Sequence, residues 1–335
     1  MIFVKREKRA LSVLLLAVTL VLSAVFAASA AESFRLSNQL PPSHFLSEAA
    51  EVFAAKVKEY SGGDVEIKLF HSAQLFKDTE IVEALQQGLV EMGLVPVNQW
   101  SGMIPAADIF GVPFVFADLA SIERFLDSEA GTLLDGAFNE KGCKVVFWMD
   151  YGFVQFLNSK RPLLAPADFK GLKIRTFSTG TADAVLALGG TPSALSSTEM
   201  YMALQRGTVD GSTTGAPAAY SRKLYEVQKY MTVCNYSAAQ FALQSNLKWW
   251  EGLSDSTRDV LERAGKDAAS WIRAEMARSE AEALTALKEK GVEIVELDAA
   301  QRQAFVEATS SVRDGFIAES GELGRRLMEL AALAQ

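Results

Sequence analysis

Arg175 closes the apolar run Leu172-Lys173-Ile174-Arg175, and its type and place suit it to bind an anion. Parallel α/β sheets take their ligands in the crevice outside the carboxyl ends of the strands. A guanidinium there can hold a carboxylate through two parallel hydrogen bonds. On the residues alone, internal pairing of Arg175 with Asp168 or Asp183 is an equal reading. A second chemical pattern is Ser245-Asn246-Leu247-Lys248, the S-x-x-K spacing of a serine nucleophile with a lysine, and it supports a remote periplasmic hydrolase reading. The partner motifs of such enzymes are missing. The context reads better as a strand end passing into a helix capped by Ser245 or Asn246. No G-x-x-x-x-G-K-[ST], G-x-G-x-x-G or G-x-S-x-G segment occurs, so neither a phosphate cradle nor a nucleophile elbow is supported. With only His44, His71, Cys143 and Cys234 to draw on, no metal site and no cofactor is expected, and the chain reads as a non-enzyme.

The start of the chain reads as an address. Lys5, Arg6, Lys8 and Arg9 precede an apolar run from Ala10 to Phe26, and Ala28-Ser29-Ala30 has the small-x-small form of a cleavage site. Residues 1–30 are therefore expected to be a cleaved signal peptide and the mature chain to be periplasmic. Removing that segment from 33 basic and 41 acidic residues leaves 29 and 40, a net charge of −11. That sign excludes nucleic acid as a partner, and it requires any anionic ligand to be held by local groups against the overall field. Cys143 and Cys234 lie in expected strands. They read as two buried small apolar residues in preference to a disulfide, since a chain of this length does not need one for its core.

The elements that must position Arg175 alternate between strand and helix. Phe34–Ser37 reads as a strand, Ser47–Tyr60 as a helix, and Val65, Ile67 and Leu69 as one face of a strand. A helix over Asp78–Gln87 and a strand over Met92–Val95 follow. A second run holds strands at Phe153–Leu157 and Leu172–Arg175 and helices at Gly180–Leu188 and Thr198–Arg206. Met231–Tyr236 and Gln240–Gln244 read as two strands that carry the chain back toward its first half. From Asp255 to Lys290 the pattern is helical, either as one strut of ~50 Å at ~1.5 Å per residue or as two helices broken at Gly265. The fold class expected is α/β, with two lobes joined by a hinge and a long helix spanning both. Residues 31–151 with about 240–275 are assigned to lobe I, and residues 152–239 with about 276–335 to lobe II.

Between Gly152 and Gly211 the chain reads GFVQFLNSKRP, PADFKGLKIR, GGTPSALSSTEMYMALQRG and TVDG. Earlier come NQLPPSHFLSEAAEVFAAKVKEYSGGDVEIKLF, EALQQGLVEMG and IFGVPFVF. In this order the segments resemble the DctP-type extracytoplasmic binding proteins of tripartite ATP-independent periplasmic (TRAP) transporters, over nearly the whole mature chain. The resemblance implies that Arg175, the arginine of GLKIR, is the carboxylate anchor. It also implies two partners, a small and a large integral membrane subunit driven by an ion gradient.

Three positions depart from the family pattern. Val154 stands where related proteins often carry arginine. Ser212, Thr213 and Thr214 follow Gly211 where the family commonly has Gln-Glu-Asn, its asparagine touching the ligand. Ser197 stands where sialic-acid binders have an aromatic. These departures point to a monocarboxylate with a less polar remainder, a 2-oxo or 2-hydroxy acid or an aromatic acid. A dicarboxylate binder, or a sensor subunit that presents its ligand to a receptor, is the alternative. Among Trp100, Trp148, Tyr151, Phe177 and Tyr236, the preferred lining residues are Trp148 and Phe177, which flank the strand ends bearing Val154 and Arg175, with Tyr236 next. Asn38 and Asn98, in loops after first-half strands, are expected to complete the ligand's hydrogen bonds.

Overall fold

The structure, a computed structural model, describes residues 31–335, so the expected signal peptide lies outside the described residues. No helix among the described residues is long and apolar enough to cross a membrane.

Among the described residues, nine strands form one continuous sheet. The first half contributes β1 (Glu32–Ser37), β2 (Val65–Phe70) and β3 (Met92–Pro96). β1 pairs in parallel with both β2 and β3, joined by helices α1 (Phe45–Tyr60) and α2 (Ile81–Gln86). The second half contributes β5 (Lys173–Thr176), β6 (Thr191–Ala194) and β7 (Gly211–Thr214), with β5 parallel to both neighbours, and helices α5 (Thr179–Ala187), α6 (Met200–Gln205) and α7 (Ala216–Ser221). Two long antiparallel strands, β4 (Cys143–Asn158) and β8 (Tyr230–Asn246), run through the middle, giving the order β2-β1-β3-β8-β4-β7-β5-β6, with β9 (Glu293–Glu296) added beside β8.

Each long strand therefore serves both lobes. Phe241–Ser245 of β8 pairs with β3, whereas Tyr230–Val233 pairs with β9; Gln155–Asn158 of β4 pairs with β7. The sequence divides β8 into two strands and marks only the two ends of β4. Its alternation is interrupted where the register between the strands shifts, at Val145/Phe147, Asp150/Gly152 and Val154/Phe156. Such irregularities bend and twist a strand without ending it. At the middle one, Gly152 takes φ +107, a conformation that glycine alone adopts readily.

Helix α9 (Asp255–Glu289) is unbroken through Gly265. A Cβ at Gly265 would lie 2.9 Å from Cδ1 of Phe147, so this glycine allows close approach of helix to sheet and makes no bend. At ~1.5 Å per residue the helix is ~50 Å long. Its buried stripe of Val260, Leu261, Ala264, Ala268, Ile272, Met276, Ala283 and Leu287 packs against α1, β4 and α7, so it spans both lobes.

Helices α3 (Leu119–Leu126) and α4 (Glu129–Glu140), unassigned from sequence, enclose the first-lobe core around Phe110, Phe125 and Phe138. The C-terminal segments go different ways. Helix α10 (Ala299–Ala308) lays Phe305 edge-on against Phe169 in the second half. Helix α11 (Ser310–Leu333), interrupted at Gly321, buries Phe316, Leu327, Met328 and Ala331 among Phe110, Phe125 and Phe138. Residues 310–335 therefore pack with the first lobe, against their expected place in the second. The reason is the apolar face they present to a core that Leu119–Glu140 leaves open on that side.

Candidate functional site

Arg175 sits at the carboxyl end of β5, between β6 and β7, and its side chain is only 3% exposed. Its Nε donates to the Leu195 carbonyl at 2.9 Å and its Nη1 to the Thr213 carbonyl at 3.2 Å. These two carbonyls fix the plane of the guanidinium. Among the described residues no carboxylate lies within 4.0 Å of it, and the internal pairing drops out. Asp168 instead caps its own turn, accepting the N–H groups of Leu164 and Ala165. Burial pushes the guanidinium down to about 10, against the attraction of Asp78, so Arg175 remains a cation at neutral pH.

The guanidinium opens on a cavity of about 470 Å³ of atom-free space, its open mouth included. Of the residues expected from sequence, Arg175, Phe177, Val154, Thr214, Asn98 and Ser197 line it. The Phe177 ring lies 5.5 Å from the Arg175 Cζ, within cation–π range. Val154 is fully buried and presents a methyl surface. Thr214 Oγ1 lies 3.2 Å from the hydroxyl of Tyr151, which also accepts the Gly215 N–H at 3.1 Å. A Cβ at Gly215 would come within 2.7 Å of the Tyr151 ring, so only glycine permits that approach. Asn98 contributes differently from the expectation, because its Nδ2 donates to the Phe177 carbonyl at 2.6 Å.

Three expected residues lie away from the cavity. Trp148 packs toward Phe138 in the first-lobe core, 6.2 Å between ring centres. Tyr236 is fully buried and stacked on Phe156 at 4.1 Å. Trp148 is thus taken up by the Phe138 cluster and Tyr236 by its stacking on Phe156, two separate parts of the core. Asn38, also fully buried, bonds Ser47 Oγ and the Leu40 N–H, and so shapes the loop that puts its neighbours Gln39 and Leu40 into the cavity wall.

Among the lining residues that the sequence does not single out as preferred, four bear on the chemistry of the cavity. Tyr151, one of the five candidate aromatics, lines the wall with its hydroxyl beside Thr214. Asp78, read as a helix start, lies ahead of α2 and is buried, accepting the Ser197 N–H at 2.9 Å and the Ser196 hydroxyl. Gln39 is 3% exposed, and its Oε1 has no partner among the described residues. Arg222, just past α7, donates through Nη2 to the Gln39 carbonyl and to Ser197 Oγ, each at 3.1 Å. Burial lowers its pKa, against the pull of Tyr151 and Asp78. No spacing in the sequence marks these positions, because the cavity is assembled from segments up to 183 residues apart.

Contacts between the halves surround the cavity. They include Asp78 with Ser196 and Ser197, Asn98 with Phe177, and the exposed ion pair Lys77–Glu199 at 2.8 Å. The lobes thus meet over the site. The S-x-x-K pair is not assembled, since Ser245 is fully buried within β8 whereas Lys248 is exposed on α8 (Leu247–Gly252). Cys143 and Cys234 are free and buried, each thiol pushed up to about 12 by burial.

Two α/β lobes sharing their central strands, closed over a buried arginine without a carboxylate partner among the described residues, define a binding protein for a small organic anion. The sequence pattern of the bacterial extracellular solute-binding proteins, family 7 (DctP), matches residues 36–320, and the chain belongs to that family. It is 32% identical to the C4-dicarboxylate-binding periplasmic protein DctP of Rhodobacter capsulatus, over 84% of this chain and 85% of that one. It is 29% identical to the 2,3-diketo-L-gulonate-binding periplasmic protein YiaO of Escherichia coli, over 86% and 88%. A TRAP periplasmic solute-binding protein of Roseobacter denitrificans, solved with bound β-D-glucuronate, superposes with a TM-score of 0.85 at 26% identity, covering 90% of this chain and 99% of that one. The chain is thus a TRAP-type binding protein for small organic acids, and its family consists of transporter binding proteins, not enzymes.

Proposed function

We propose that this protein captures a small monocarboxylate bearing hydroxyl or oxo groups between its lobes and delivers it, in the periplasm, to a small and a large TRAP membrane subunit. The observation that carries the reading is Arg175, a buried cation held in plane by two backbone carbonyls and facing a cavity, with no carboxylate of the described residues within 4.0 Å. Burying an uncompensated charge is costly, and a ligand carboxylate offsets that cost. A charged hydrogen bond contributes ~1.5–3 kcal/mol, whereas a micromolar complex needs ~8 kcal/mol. Shape, desolvation and the contacts of the second lobe supply the remainder.

The cavity is more polar than the sequence implies. Arg222, Asp78 and Gln39 offset the apolar effect of Val154, so a hydroxylated or oxo acid fits it better than an aromatic acid. The second reading is a dicarboxylate, favoured by the presence of two arginines in one cavity. Calorimetric titration with C3–C6 hydroxy and oxo monocarboxylates and with succinate separates the two. We expect a monocarboxylate to bind tightest and Arg175→Ala to lose at least tenfold in affinity with the fold intact. Tightest binding of succinate, or unchanged affinity in Arg175→Ala, defeats the proposal.

A further inference from the structure

We infer that Arg222 and Gln39 form a second recognition point, which reads a hydroxyl-bearing carbon of the ligand away from its carboxylate. This rests on the reading of Arg175 as the carboxylate anchor. Arg222 uses only Nη2 in hydrogen bonds with the described residues, and among them no carboxylate lies within 4.0 Å of its guanidinium. Its remaining N–H donors, on a half-buried side chain that lines the cavity, are available to an acceptor there.

The nature of that acceptor follows from charge. The cavity wall holds two guanidinium groups, Arg175 and Arg222, and one carboxylate, Asp78. Arg222 makes Arg175 harder to keep charged, and Asp78 favours the charge on both. One ligand carboxylate makes the enclosed set neutral, and Arg175 is the arginine already oriented by backbone carbonyls to take it. A second ligand carboxylate would leave an excess negative charge in a buried space. The group facing Arg222 is accordingly a neutral oxygen.

Gln39 supplies the complement. Its backbone carbonyl accepts from Arg222, and its side-chain Oε1 is buried without a partner among the described residues. That oxygen requires a donor, which a carboxylate cannot provide and a hydroxyl can. A hydroxyl both accepts and donates, so one such group, or two on adjacent carbons, satisfies Arg222 and Gln39 together. Because Arg222 comes from the second lobe and Gln39 from the first, this recognition point forms only when the lobes meet.

The test uses pairs of acids that differ only in hydroxylation: glycerate with propionate, erythronate with butyrate, gluconate and galactonate each with hexanoate. Affinities come from calorimetry, with ligand-observed NMR for the weak members. For the parent protein we expect at least one hydroxylated acid to bind tenfold or more tightly than its unsubstituted counterpart. Arg222→Gln and Gln39→Ala should each reduce that ratio to about threefold or less. Arg175→Ala should weaken both members of the pair. The inference is overturned if the parent shows no preference for a hydroxylated acid. It is also overturned if both variants weaken the two members equally, or if neither variant changes the ratio. Failure of the anchor reading is distinct: Arg175→Ala would then leave both members unchanged.

Discussion

The carboxylate of Asp108 accepts the backbone N–H of Gly180 at 2.6 Å, linking a first-lobe turn to the first residues of helix α5 in the second lobe. Gly111 and Gly180 face one another there, and a Cβ on Gly180 would lie 3.0 Å from the Gly111 backbone. Burial pushes the Asp108 carboxyl up to about 7, the Gly180 N–H opposing the shift and the negative charges of Asp183 and Glu319 adding to it.

A raised acid stabilises the folded state when protonated. Its contribution is complete below the unfolded value near 4 and is lost as pH rises through about 7. Asp108→Asn imitates the protonated form and keeps an oxygen for the Gly180 N–H. Its Tm is expected to match the parent's near pH 4 and to exceed it by a few degrees at pH 8. Parallel melting curves across that range would show that the carboxyl does not titrate there. Comparison of variant with parent matters because buried His44, held down to about 3 by burial, opposes the trend by losing stability as pH falls.

Gly265→Ala sets two effects against each other. Alanine gains ~1 kcal/mol of helix propensity over glycine, but its Cβ would press on the buried Phe147 ring at 2.9 Å. Overpacking of this kind costs about 1–3 kcal/mol. Urea denaturation is expected to report net destabilisation; a more stable variant would mean that the helix has room to move off the sheet.

Trp148→Ala should lower stability by about 1–3 kcal/mol, a normal range for lost packing, and leave the affinity for the best ligand within twofold. A large loss of affinity would return Trp148 to the binding site that its contact with Phe138 denies it.

Cys143 and Cys234 should resist thiol reagents in the native protein and react on unfolding, since both are buried with thiols pushed up to about 12. Mass spectrometry after alkylation, with and without guanidinium, provides the measurement. Rapid native labelling at either site would contradict their burial.

Local pattern made much of the architecture legible. Apolar alternation marks β1, β2 and β3, the 3.6-residue period marks α1 and α9, and the strand end at Arg175 together with the order of motifs singles out that arginine as the candidate anchor. These signals are local because backbone geometry repeats over a few residues. What only the tertiary structure decided is everything that depends on which distant segments meet. β4 and β8 continue through their irregular pairs because two long strands support each other across the sheet, and α11 returns to the first lobe because an open apolar core is there to receive it. Arg222, Asp78 and Gln39 belong to the cavity because lobe contact desolvates them beside Arg175. Charge, burial and unsatisfied hydrogen bonds exist only between groups brought together in space, so no spacing along the chain can reveal them.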